Sequence, residues 1–124
     1  QERKGIAEPL LNNGFPQDAR AIALTFEGAE EQPHFEKPSF RIKKKIFMTL
    51  DEPRNTACIK LSEIEQDIFC SIDAHVIYPV PNKWGKQGWT LINLRLIKKE
   101  LFVELLTTSY AHAVIMAQSK KPSR

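Results

Sequence analysis

Apolar residues recur along this chain with two periods, and the switches between them mark its elements. Ala19, Ile22, Ala23 and Phe26 fall at i, i+3, i+4 and i+7, the stripe of an amphipathic helix that opens at Pro16 and stops near Gly28. The run from Glu30 to Lys37 has no period, and Pro33 and Pro38 read it as irregular or extended chain. The period then drops to two. Phe40 and Ile42 share one face of a strand and Arg41 takes the other. After Lys43-Lys44-Lys45 the alternation resumes, with Ile46, Met48 and Leu50 on one side and Phe47 and Thr49 on the other. Asp51–Asn55 reads as a turn, and Thr56–Leu61 as a third strand.

Ser62-Glu63-Ile64-Glu65 has the form of a capping box, in which serine caps the amide three residues on and the glutamate reaches back. The helix it opens is expected to bury Ile64, Ile68, Phe69 and Ile72 and to end near Asp73. His75–Val80 reads as a fourth strand, Asn82–Gly88 as a glycine-containing loop, and Trp89–Leu96 as a fifth strand. In that strand Ile92, Leu94 and Leu96 oppose Trp89, Leu91, Asn93 and Arg95. A long helix from about Lys98 to about Gln118 carries Phe102, Leu106, Tyr110, Ala113 and Ala117 on one stripe. The expected domain spans residues 16–118, between a polar arm (1–15) and a basic tail (119–124).

Helices and strands that do not alternate one for one predict an α+β fold. The expected form is two-layer, α-β(3)-α-β(2)-α, with helices on one face of a largely antiparallel sheet. The other face is then open. Arg41, Phe47, Thr49, Trp89, Leu91, Asn93 and Arg95 are expected near it.

Composition narrows the function classes. With 124 residues, 42% apolar and 27% charged, the chain suits one globular core. No apolar run has the ~18–20 residues of a membrane span, and no leader-like apolar segment predicts secretion, so a cytoplasmic protein is expected. Cys58 and Cys70 lack CxxC spacing and read as free thiols. The three histidines form no metal-binding pattern with them. Neither a metal nor a cofactor is expected.

Net charge is only +3, but it is segregated: Lys37 to Lys45 holds five basic residues and no acid. Lys43, Lys44 and Lys45 would form one basic hairpin tip. Lys83, Trp84 and Lys86, among glycines that let backbone approach a ligand, would form a second. Lysines on turns neutralise phosphates and release counterions without reading bases, and an aromatic between them offers a stacking surface. The competing reading is two solvated turns. His34 and Lys37, with Arg41 nearby, suggest a polar pocket, but no nucleophile–base–orienter set joins them, so no catalytic residue is assigned and the protein is expected not to be an enzyme.

The segment Phe26-Glu27-Gly28-Ala29-Glu30-Glu31-Gln32-Pro33-His34-Phe35-Glu36-Lys37-Pro38-Ser39-Phe40-Arg41 resembles the MmcQ/YjbR family. So do Lys45–Leu50 and the Tyr78–Trp89 run with its Gly85-Lys86-Gln87-Gly88-Trp89. The resemblance covers about Pro16 to Ala117. It implies the same two-layer fold, similar to that of type III secretion chaperones, and a double-wing DNA-binding motif. Its wings would carry Arg41, Lys43, Lys44, Lys45, Lys83, Trp84 and Lys86. Glu36 stands where many members have glycine, and Phe26-Glu27-Gly28 replaces a more usual Pro-Gly pairing. An alternative role is a protein- or small-ligand-binding module on the open face, with His34, Lys37, Phe47, Trp89 and Arg95 lining it.

Overall fold

The computed structural model describes residues 16–118, so the expected arm (1–15) and basic tail (119–124) lie outside the described residues. The elements run α1 (Pro16–Ala23), β1 (Glu30–His34), β2 (Lys37–Ile42), β3 (Lys45–Asp51), a 3-10 turn (Glu52–Arg54), β4 (Thr56–Lys60), α2 (Glu63–Cys70), β5 (Ile77–Pro79), α3 (Lys83–Lys86), β6 (Trp89–Asn93) and α4 (Lys99–Gln118). Six strands form one sheet in the order β1-β2-β3-β4-β6-β5, every neighbour antiparallel. The fold is α+β, as the sequence predicts, with one strand more.

The extra strand is β1, where irregular chain was expected. It has no buried residue to give it a period. Pro33 sits on it without breaking the ladder because β1 is an edge strand. Strand β5 is shorter than expected. Asp73 accepts a hydrogen bond from the His75 amide at 2.9 Å and holds the chain in a turn before Ile77. Strand β6 ends at Asn93, whose side chain accepts the Arg95 amide at 3.0 Å.

One face of the sheet carries the core. Phe40, Met48, Leu50, Ala57, Ile59 and Ile92 are fully buried there with Phe102, Leu105 and Leu106 of α4 and Ala19 and Ala23 of α1. Burying each large side chain contributes roughly 1.5–3 kcal/mol. The opposite face, through Arg41, Thr49, Cys58, Lys60, Trp89 and Leu91, is only partly buried.

Phe47 corrects the expected alternation. The β2–β3 register pairs Phe40 with Met48 and then Arg41 with Ile46, leaving Phe47 as the extra residue of a β-bulge. Its ring turns to the core, fully buried, 5.5 Å from Tyr110 and 6.0 Å from Phe26. The bulge shifts the phase of the strand, so Ile46 leaves the core face. It also interrupts the next ladder. β3 and β4 pair only as far as Met48 opposite Ile59. Beyond that the Ser109 hydroxyl of α4 stands between them, donating to the Phe47 carbonyl at 2.8 Å and accepting the Lys60 amide at 3.1 Å.

Helix α2 also departs from expectation. Its capping box is complete: Ser62 Oγ accepts the Glu65 amide and Glu65 Oε1 accepts the Ser62 amide. Only Phe69 is buried, while Ile64, Ile68 and Ile72 lie outward, 75%, 58% and 55% exposed. The inward side instead presents Gln66, whose amide donates toward Gly85 O (2.9 Å), Thr90 Oγ1 (3.1 Å) and Trp89 O (3.3 Å). Backbone acceptors next to the short edge strand need a donor more than the edge needs another isoleucine.

Candidate nucleic-acid interface

The ladder registers fix which ends of the strands lie together. Lys45 and Ile42 close β2–β3 at the end where Lys60 pairs with Trp89 on β4–β6, and where Pro79 pairs with Thr90 on β5–β6. The two tips therefore leave the sheet at the same end. Three strand spacings separate their centres, about 14 Å.

The first tip is a two-residue hairpin. Lys43 and Lys44 have φ of 50° and 75°, the left-handed pair of a type I′ turn. Such turns favour Asn-Gly, and each non-glycine there costs about 1–2 kcal/mol. Lys43, Lys44 and Lys45 are all exposed. Arg41 is not at the tip. It lies on the open face, donating to Ser39 Oγ at 3.0 Å and to the Pro33 carbonyl at 3.4 Å.

The second tip is a one-turn helix, where a glycine-containing loop was expected. Asn82 caps it by accepting the Trp84 amide at 2.9 Å. Its glycines serve contacts inside the chain. A Cβ at Gly85 would stand 1.9 Å from the Val80 carbonyl oxygen, and one at Gly88, whose φ is 105°, 1.8 Å from that of Leu61. Lys83 and Lys86 are exposed, Trp84 is half-exposed, and the Lys83 ammonium lies 5.9 Å from the Trp84 ring centre. Lys60 stands at the same end, its ammonium 5.9 Å from the Trp89 ring centre. Sequence reasoning missed Lys60 because only the β4–β6 register brings it there. Acids are present as well: Glu63 and Asp67 lie beside Lys86 on α2.

The residues expected to line a ligand pocket do not gather. His34 and Lys37 pair across β1–β2 at the far end, where the Phe35 ring meets His34 edge-on at 4.6 Å. Lys37 lies 3.6 Å from Asp51, which also accepts from Arg54 at 2.9 Å. Burial pushes the Asp51 carboxyl up, but Arg54 and Lys37 together bring it below its ordinary value. Trp89 is at the lysine end. Arg95 is past the other end of β6, with Nε and Nη2 at 3.1 and 2.9 Å from the Asn55 side-chain oxygen when that amide faces it. Phe47 is inside the core, which removes it from the open face. Between these groups Cys58 sits on the open face, and burial pushes its thiol up to about 11. Among the described residues no cluster of three or more His, Cys, Asp or Glu could hold a metal ion, and no helix is long and apolar enough to cross a membrane.

The chain is similar in fold to protein DR2400 of Deinococcus radiodurans, a crystal structure with a DUF419 domain. The two share 16% identity with a TM-score of 0.67 over 89% of this chain and 83% of the other. That likeness carries the architecture. No curated protein matches the chain. The family model described as YjbR matches residues 24–112, from just after α1 through both tips and most of α4. The chain belongs to the YjbR family.

Proposed function

We propose that this YjbR-family domain is a non-enzymatic cytoplasmic protein that binds DNA through the phosphate backbone at the lysine end of its sheet. The observation that carries the reading is the common direction of the two tips. They place Lys43, Lys44, Lys45, Lys83 and Lys86 at one end, with Lys60 between them. Charges so arranged act on the same polyanion, whereas tips at opposite ends could not.

A salt titration of binding to arbitrary duplex DNA tests the proposal. The log of affinity falls against log salt by about 0.9 per phosphate neutralised. Replacing Lys43, Lys44 and Lys45 by alanine lowers that slope by up to about 2.7, and replacing Lys83 and Lys86 by up to about 1.8. No binding at low salt sinks the reading, as does a slope that neither set of replacements changes.

A further inference from the structure

We infer that the open sheet face beside the second tip is a stacking platform for single-stranded DNA, and that unpaired strands are the preferred form of the DNA proposed above. The inference rests on that reading and adds to it the face that meets the bases. Trp89 and Leu91 point away from the core on β6, alternating with buried Thr90 and Ile92. Tyr78 of β5 is paired with Leu91 and shares its face. Trp89 and Tyr78 are therefore diagonal neighbours, about 7–8 Å apart across the strands. Both are partly exposed. Two aromatic side chains at that separation on a rigid sheet can each take one base of a strand whose bases are not paired.

The charge completes the platform. Lys60 is paired directly with Trp89 and holds its ammonium over that ring. A phosphate drawn to Lys60 brings its neighbouring base onto the indole. Lys83 stands in the same relation to Trp84 at the tip, again 5.9 Å from the ring centre. Two lysine–tryptophan units thus stand at the same end of the sheet, one on the tip and one on the open face. Farther along the sheet, Arg41 continues the positive charge on that face. A duplex presents phosphates to the tips but keeps its bases stacked away from Trp89.

The test follows Trp89 fluorescence in Trp84→Phe protein, titrated with oligo-dT and with a duplex of equal length. Oligo-dT is expected to quench Trp89 and to bind more tightly than the duplex. Trp89→Ala is expected to weaken oligo-dT binding about 5- to 150-fold with little effect on duplex binding, and Trp89→Phe to keep most of the affinity. The quenching measurement needs no change to Trp89 itself, so a poorly folded alanine variant does not blunt the test. Equal binding of both forms without quenching overturns the platform and leaves the lysine-end reading standing. Binding to neither form overturns both. Tighter binding of oligo-U than of oligo-dT overturns the choice of DNA.

Discussion

The two tips carry similar charge on opposite kinds of backbone. The β2–β3 tip has no glycine where its turn favours one, and its lysines stand clear in left-handed conformations. The β5–β6 tip has glycine where the chain touches itself, and it is clamped by Val80, Leu61 and the Gln66 amide. At the first tip the side chains are kept at the expense of the backbone. At the second the backbone is placed closely and the lysines ride on it. A basic turn can thus be held out by strain or by docking, and the two respond differently to substitution.

The largest effect should come from the docked tip. Gly85→Ala and Gly88→Ala each drive a methyl into a carbonyl oxygen, and chemical denaturation should show losses of about 3 kcal/mol or more, or failure to fold. Losses below about 1 kcal/mol would show that the tip can move away. Next is Ser109→Ala beneath the root of the first tip. It leaves the Phe47 carbonyl and Lys60 amide without their shared hydroxyl, at a cost of about 1–3 kcal/mol. Smaller, and opposite in sign, is the double change Lys43→Asn with Lys44→Gly. It should stabilise the fold by about 1 kcal/mol while lowering the salt slope of DNA binding by up to about 1.8. A loss of stability would show that the left-handed turn carries no strain.

An effect confined to high pH concerns the strip of sheet between the tips. The Cys58 thiol is raised in the folded state from 9.0 to about 11, because burial disfavours the thiolate. The folded state binds that proton more tightly, so its contribution is fully present below pH 9. It is lost as pH rises from about 9 to 11. Denaturation across that range should show wild-type protein losing more stability than Cys58→Ala. Identical profiles would mean that the thiol titrates normally.

What the sequence makes legible is local. The capping box at Ser62 and the long α4 stripe follow from residues near one another, and the family resemblance rests on such runs. Strand β1 was hidden because an edge strand with no buried side chain has no period. The apolar stripe of α2 predicted an inward side with Ile64, Ile68 and Ile72, but Gln66 took that side because of acceptors about 20 residues away in β6 and its approach. The bulge at Phe47 was invisible for a similar reason: alternation predicts a phase but not where it slips. For the site, the lysines themselves were plain in the sequence. Their shared end was not, since it depends on β6 pairing between β4 and β5.

Ser109 gives the lysine end a property that a continuous ladder lacks. Two strands joined by backbone hydrogen bonds have one spacing, set by the peptide unit. At Phe47 and Lys60 the joint is a side-chain hydroxyl from a helix 62 residues along from Phe47. The gap between the roots of β3 and β4 is therefore adjustable by the size and reach of one residue on α4. Threonine, cysteine or glycine at that position would each set a different fan of the strands, and with it a different span between the two tips.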